Sequence, residues 1–194
     1  TDLTVNGTFN CNTAAPNMNI NPGAVVAGNV NFSGTTITNN GTITGQLDLF
    51  AIGAGSHPQV IGGTGSIGTL LTANNLSTIT LGGDQTITSL LNFNYGSITT
   101  GPHKIIIGPA ASVQNNSLTD WYVNGNMEKV FPVGNSTFLY RVGDASGFRP
   151  VTVSVTGAAI ASGGLVVSTI AGDHPNLGSS IIDPSKSVNR NWRF

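Results

Sequence analysis

The segment Asp120–Gly157, DWYVNGNMEKVFPVGNSTFLYRVGDASGFRPVTVSVTG, marks a change of architecture in this chain. It contains a large share of the few charged residues and several of the large aromatic residues. Short strand patterns rich in Gly and Asn come before it, and longer, more regular strand patterns follow it. We therefore predict a junction here, at which a coiled β-structure ends and a packed β-sheet begins.

The composition of the 194-residue chain limits both its structure and its partners. Charged residues make up 8% of the sequence and apolar residues 39%, which is enough apolar surface for a folded core. The formal net charge of −1 favours neither nucleic acid nor an anionic membrane surface as a partner. No run approaches the ~18 apolar residues of a membrane span. Such low charge also means weak repulsion between copies, so we expect association of the chain with itself.

The N-terminal part of the chain is predicted to be a β-solenoid. Short alternating runs such as Val30–Phe32 and Leu47–Phe50 are separated by Gly, Asn-Gly or Pro-Gly. That spacing is too short for ordinary hairpins but is typical of a solenoid, in which each turn bends at Gly and Asn corners. Asn6-Gly7 predicts a tight turn, and Asn74-Asn75 and Asn115-Asn116 are candidate corners. The repeat is degenerate, and it predicts no fixed turn length.

Residues 119–194 are predicted to form a small antiparallel sheet or sandwich packed on the end of a solenoid region that covers residues 1–118. The fold class is therefore all-β. The alternation in this second region predicts that Val151, Val153 and Val155 face the core, with Trp192 packed nearby. The predicted strands of the unit are Met127–Val133, Thr137–Val142, Arg149–Thr156, Leu165–Ile170 and Val188–Phe194.

Three motifs of this second region carry a resemblance to a known group of proteins. They are Phe131-Pro132-Val133-Gly134, Arg149-Pro150-Val151-Thr152 and Asn189-Arg190-Asn191-Trp192. With the preceding Gly- and Thr-rich turns, Ile61–Phe194 resembles a segment of large secreted surface proteins of Bacteroidota. Those proteins look like adhesin or sheath components exported by the type IX route. The resemblance implies a secreted or cell-surface, non-catalytic protein.

The sequence predicts neither catalysis nor a metal or cofactor. Ser56-His57 and Asp173-His174 hold the residue types of a hydrolytic site, but the chain has no nucleophile elbow around a serine. Asp173-His174-Pro175 is instead predicted to form a turn with local side-chain hydrogen bonds. His57, His103 and His174 each adjoin a proline and share no spacing typical of a zinc site. Cys11 is the single cysteine, which excludes an internal disulfide.

Two classes of function remain. The first is a structural subunit of a cell surface, fibre or adhesin that binds copies of itself. The second is a module that binds glycans or another surface, including ice. Candidate residues for a sugar platform are the aromatics Tyr95, Trp121, Tyr122 and Tyr140. Thr-x-Thr pairs such as Thr36/Thr38 and Thr86/Thr88 suggest ice binding, although their uneven spacing in the sequence argues against a flat array.

Both ends of the chain are predicted to take part in assembly. The candidate residues are Leu3, Val5 and Phe9 at the start of the chain and Val188, Trp192 and Phe194 at its end. An unprotected strand edge can recruit a strand from another molecule through main-chain hydrogen bonds. The alternative is that the first strand pairs with the first solenoid turn of its own chain.

Overall fold

The computed structural model describes residues 3–11, 17–50, 57–74, 78–118, 120–157, 161–181 and 183–194, and almost all of their regular structure is β. Two short 3-10 turns, Leu177–Ser179 and Pro184–Lys186, are also present. Within these ranges no helix has the length and apolar character needed to cross a membrane. The strands are β1 (Leu3–Cys11), β2 (Asn17–Ile20), β3 (Val25–Phe32), β4 (Thr36–Asn39), β5 (Thr42–Phe50), β6 (Gln59–Gly62), β7 (Ser66–Asn74), β8 (Ile79–Gly82), β9 (Gln85–Phe93), β10 (Ile98–Ile107), β11 (Ser112–Asn115), β12 (Val123–Phe131), β13 (Ser136–Tyr140), β14 (Val142–Asp144), β15 (Gly147–Phe148), β16 (Val151–Val155), β17 (Gly163–Ala171) and β18 (Arg190–Arg193).

Strands β1 to β12 wind through parallel ladders into a three-sided solenoid of about six turns. Side 1 consists of β2, β4, β6 and β8, followed by the first parts of β10 and β12. Side 2 consists of the first parts of β1, β3, β5, β7 and β9, followed by the second parts of β10 and β12. Side 3 consists of the second parts of β1, β3, β5, β7 and β9, followed by β11. The predicted all-β solenoid is confirmed.

The long strands turn the corner between two sides without a break in the strand. In β1 the bend falls at Gly7, whose φ of 128° is accessible to glycine without strain. The pairing of β1 with β3 shifts register between Thr4 and Thr8, on either side of this bend. The prediction of a tight turn at Asn6-Gly7 was therefore wrong, because the glycine bends one strand rather than reversing the chain.

The length of one solenoid turn varies along the chain. Val25 pairs with Thr42, 17 positions later, whereas Ile98 pairs with Val123, 25 positions later. The extra residues lie at the corners, so the paired strands stay in register on each side. This variation explains why the sequence shows no fixed repeat.

The core of the solenoid is a set of apolar ladders that run along its axis. On side 2, Val26, Ile43, Ile67, Ile87 and Ile107 stack in register and have at most 3% of their surface exposed. Burial of one such side chain contributes about 1.5–3 kcal/mol to folding. The ladders on all three sides meet in one continuous core.

An antiparallel unit, which we call the cap, closes the C-terminal end of the solenoid. The solenoid continues past residue 118 into β12. On side 1 the outer edge of β12 pairs in parallel with β14, and on side 2 it pairs antiparallel with β17, which in turn pairs with β18. Strands β13 and β16 form a separate two-stranded sheet whose residues Phe138, Val151, Val153 and Val155 pack against the core. Thr152 and Ser154 are exposed, so the predicted inward face of β16 is confirmed.

The final strand is held against this unit by a tryptophan. The Nε1–H of Trp192 donates to the carbonyl oxygen of Arg149 at 3.3 Å, two residues before β16 begins. The strand is shorter than predicted, since Val188 and Phe194 lie outside Arg190–Arg193 and are largely exposed. Pro132 and Pro150 lie just outside β12 and β16, as expected for residues that cannot donate to a ladder.

Candidate functional site

A column of hydroxyl side chains runs along the outside of side 2. Thr42, Ser66 and Thr86 lie in register on three successive turns, and the Ser66 hydroxyl donates to Thr42 Oγ1 at 3.2 Å. Neighbouring strands are about 4.8 Å apart, which sets the spacing of these groups. We call these three residues the hydroxyl column.

A shallow groove of about 270 Å³ lies beside the hydroxyl column. Its walls come from the corner between sides 1 and 2 and carry no charged side chain among the lining residues. They consist of the column itself with Gly23, Asn40, Gly41, Thr64 and Gly65. The groove therefore presents uncharged hydrogen-bonding groups along its lining residues.

The Thr-x-Thr pairs are more regular in space than in the sequence. The outward threonines Thr36 and Thr80 lie in one column on side 1, where Val60 separates them. On side 2, Thr44 and Thr88 are exposed next to the hydroxyl column. Unequal corner lengths produce the uneven sequence spacing, so that spacing does not exclude an ordered array.

The four aromatic residues predicted as a sugar platform do not form one surface. Tyr140 is fully buried in the cap, and its hydroxyl donates to the carbonyl oxygen of Leu165 at 2.9 Å. Its ring packs edge-on against Phe138, with centroids 4.9 Å apart. The prediction for Tyr140 was wrong, because its large side chain fills the end of the core and is not exposed to a ligand.

The other three aromatics lie at separate positions. Tyr95 is exposed in the turn after β9. Trp121 is half-buried and packs against the core. The Tyr122 hydroxyl donates to the carbonyl oxygen of Asp144 at 2.9 Å, its ring is 6.1 Å from that of Phe148, and burial raises its pKa. Trp121 and Tyr122 therefore support the cap.

Buried amide side chains hold the corners, and the sequence analysis missed them. Gln85 is fully buried, and its Nε2 donates to the carbonyl oxygens of Gly62 and Gly63 at 3.2 and 2.6 Å. Gln59 plays the same role at another corner, with Nε2 donating to the carbonyl oxygens of Phe32 and Gly34 at 3.2 and 3.0 Å. Nothing in the local sequence marks either glutamine as buried, and the two share only their position at the start of a strand.

Lys129 ends the apolar ladder of side 2. It is only 4% exposed, and its Nζ donates to the carbonyl oxygens of Gly108, Pro109 and Ala111 at 2.7, 3.0 and 2.9 Å. The ammonium group also lies 5.2 Å from the centre of the Phe138 ring. Burial lowers the pKa of Lys129. These contacts give the lysine a structural role in sealing the core under the cap.

A charged clamp joins the last strand to the β14–β15 turn. Arg190 forms an ion pair with Asp144, and both side chains are mostly buried, with 11% and 15% exposed. Arg190 also donates to the Ser146 hydroxyl at 2.6 Å. Burial would raise the pKa of Asp144, but hydrogen bonds from Ser146 and the charge and hydrogen bond of Arg190 outweigh it and lower the pKa.

Replacing Asp144 with Asn is expected to lower the free energy of unfolding at pH 7 by about 1–3 kcal/mol, since Arg190 loses its anionic partner. Because the pKa of Asp144 is lowered in the folded state, its carboxylate gives its full stabilisation at pH values above its usual pKa near 3.8. This stabilisation is lost as the pH falls through the lower pKa of the folded state. Urea unfolding at pH 7 and pH 3 should therefore show a difference between wild type and variant that narrows on acidification.

Asp183→Asn is the matched control for this clamp. Asp183 Oδ2 lies 3.9 Å from Lys186 Nζ in an exposed pair, which is worth little. We expect a change within about 0.5 kcal/mol at both pH values. Equal losses for the two variants would contradict the assigned role of the Asp144–Arg190 pair.

At the N-terminal end of the solenoid, the first strands each pair with one strand among the described residues. Strand β1 pairs on one edge with β3 of its own chain, and β2 pairs on one edge with β4. The alternative in which the first strand joins its own solenoid is thus what the structure shows. Phe9 is 38% exposed, and the side chains of Leu3 and Val5 lie outside the described residues. The sequence contains no charged residue between positions 3 and 47.

The histidines do not come together. The Nε2 of His57 lies 3.3 Å from the carbonyl oxygen of Gly34, and the Nδ1 of His103 lies 3.6 Å from Asp84 Oδ1. His174 Nδ1 accepts from the backbone N–H of Asn176 at 3.2 Å, which confirms the predicted turn. In the described part of the chain, no three His, Cys, Asp or Glu residues are grouped as metal ligands would be. Ser56 lies outside that part.

Comparison with models of known protein families, with curated proteins and with solved structures finds no match to this chain.

Proposed function

We propose that this protein is a non-catalytic structural subunit of a secreted or cell-surface assembly, and that it binds copies of itself through β-strand edges. The observation that carries the proposal is the regular stack of parallel strands under a charge-poor surface. Among the described residues, β1 and β2 each pair with a single strand of the chain. Main-chain groups on such an edge bind another strand with little dependence on side chains. The resemblance to secreted surface proteins of Bacteroidota supports the location.

The interior of the solenoid supports a structural role. Fully buried apolar ladders and amide-filled corners make a rigid object, and its charge-poor surface gives weak repulsion between copies. A rod of this kind needs no bound small molecule to hold its shape.

Two measurements test this function. Antibody labelling of intact source cells should place the protein outside the cell, and sedimentation velocity of the purified chain should show species larger than a monomer that grow with concentration. A protein that stays monomeric at its solubility limit would overturn self-association, and labelling only after permeabilisation would overturn the location.

A second candidate function is binding to a hydroxyl-rich surface, such as ice or a polysaccharide. The observation that favours it is the hydroxyl column Thr42, Ser66 and Thr86, which repeats at the strand spacing beside an uncharged groove. Partition into a growing ice front and retention on a glycan array should separate the two ligands. Thr42→Val with Thr86→Val should abolish either activity, whereas Thr69→Val on side 3 should not.

A further inference from the structure

We infer that the groove beside the hydroxyl column is a binding site for a linear, uncharged polysaccharide. One polymer chain lies along the solenoid axis, across successive turns, and its hydroxyl groups pair with those of Thr42, Ser66 and Thr86. This inference rests on the second candidate function, binding to a hydroxyl-rich surface. It goes further by choosing a polymer chain over ice and by naming the residues that hold it.

The groove is recessed because glycines occupy the corner between its walls. Residues 40–42 and 64–66 lie on neighbouring turns and share one pattern, in which a glycine separates two polar residues. A methyl group added at Gly41 would lie 2.4 Å from the carbonyl oxygen of Ala24, and one at Gly65 would lie 2.4 Å from that of Gly41. Neither position accepts a side chain without displacing the backbone of the next turn. The corner therefore stays lower than the polar residues on either side of it.

The length and shape of the site suit a polymer chain better than a crystal face. Thr42 and Thr86 are two strand spacings apart, which is about 10 Å. Val25 and Ile106 continue the same column beyond them and have no hydrogen-bonding side chain. A flat face of ice contacts a flat, extended array and does not enter a short recess, whereas a single chain fits into it.

The walls of the groove carry groups that can both donate and accept hydrogen bonds. The hydroxyl column forms one wall, and Asn40 and Thr64 form the other. The backbone N–H of Thr64 donates to Asn40 Oδ1 at 3.3 Å, which orients the amide and leaves its Nδ2 to donate to a ligand. Sugar hydroxyls donate and accept in the same way. An ionised ligand would lose hydration without gaining a counter-charge, because no lining residue is charged.

A buried amide network fixes the groove from below. Asn39 is fully buried, its Oδ1 accepts from the backbone N–H of Gly41 at 3.2 Å, and its Nδ2 donates to the carbonyl oxygen of Ser66 at 3.2 Å. The same Nδ2 lies 3.4 Å from Gln85 Oε1, one turn further along. These bonds connect three successive turns under the groove. A site that is rigid before binding loses little conformational entropy when the ligand binds.

The test removes hydroxyl groups from the column while keeping its shape. Thr42→Val with Thr86→Val is close to isosteric, and Thr42→Ser with Thr86→Ser retains the hydroxyls. Thr36→Val with Thr80→Val is the matched control, because these outward threonines lie on side 1, away from the groove. The probes are cellulose, chitin and mannan as neutral polysaccharides, alginate as an anionic one, and a growing ice front. Circular dichroism and the melting temperature establish that all variants remain folded.

The wild type should bind at least one neutral polysaccharide, with a Kd that is raised at least about tenfold by the valine variant. The serine variant and the side 1 control should stay within about twofold of wild type, and about 0.5 M salt should leave binding unchanged. Neutral polysaccharide binding that the valine variant does not weaken would overturn the inference and leave the second candidate function intact. Retention on alginate alone, or in ice alone, would do the same. Binding to none of the probes would overturn both.

Amide chemical shifts locate the site without any substitution. A soluble oligosaccharide of the retained polysaccharide should shift the backbone amide signals of Gly41 and Thr64 most. The Thr64 signal is a direct reporter, because its N–H donates to the side chain of Asn40 in the wall of the groove. The signals of Thr36 and Thr80 on side 1 should not move. Shifts that are largest outside the groove would overturn the inference.

Discussion

Replacing Ile67 with Asp is expected to unfold the protein. Ile67 is fully buried between Ile43 and Ile87 in the inward ladder of side 2. A carboxylate there would lose its hydration with no cationic partner at the neighbouring positions Ile43 and Ile87, at a cost of several kcal/mol. The free energy of unfolding of a domain is about 5–15 kcal/mol, so this single substitution removes most of it. Far-UV circular dichroism and limited proteolysis would report the loss of strands.

Val60→Asp is the control for this change, since Val60 lies in the same turn but on the outside of side 1. The charge then faces solvent between Thr36 and Thr80, and we expect a change in the free energy of unfolding of about 1 kcal/mol or less. If Ile67→Asp kept the wild-type melting temperature and Val60→Asp unfolded the protein, the inward and outward positions would be exchanged.

Replacing Gly83 with Ala is expected to lower the free energy of unfolding by about 2–4 kcal/mol. A methyl group at Gly83 would lie 2.0 Å from the carbonyl oxygen of Gly63 in the turn below. That oxygen belongs to the backbone and accepts from Gln85, so it cannot move without disturbing the corner. Thermal unfolding should show a melting temperature lower by roughly 5–15 °C.

Gly163→Ala separates this steric effect from the general loss of a glycine. Nothing lies within 4 Å of an added methyl group at Gly163, at the start of β17. We expect a change within about 0.5 kcal/mol. Similar losses at both positions would show that close approach of the two turns is not the cause.

Much of the fold follows from local sequence patterns. Alternation with period two and frequent Gly and Asn predict short strands with corners, and the β-branched pattern Val151–Val155 predicts the inward face of β16. These features depend on neighbouring residues only, so a single sequence is enough to find them.

The features that sequence analysis missed depend on contacts between distant residues. Tyr140 bonds to Leu165, 25 positions away, and nothing in its local sequence distinguishes it from the exposed Tyr95. A lysine at position 129 is expected on the surface from the sequence. Only its position in the ladder shows that it is buried under the cap. The hydroxyl column was missed for another reason. The corners differ in length, so the residues of the column are not evenly spaced in the sequence.

The unequal corners of the solenoid have a consequence for how such a chain can evolve. Each turn contacts mainly the turns directly above and below it, so cooperativity is one-dimensional and the stability is a sum of interfaces. An insertion at a corner changes the length of one turn but leaves every interface in place, as the range from 17 to 25 positions between paired residues shows. Length polymorphism at the corners is therefore nearly neutral for folding, and new surface loops can arise there without cost to the stack.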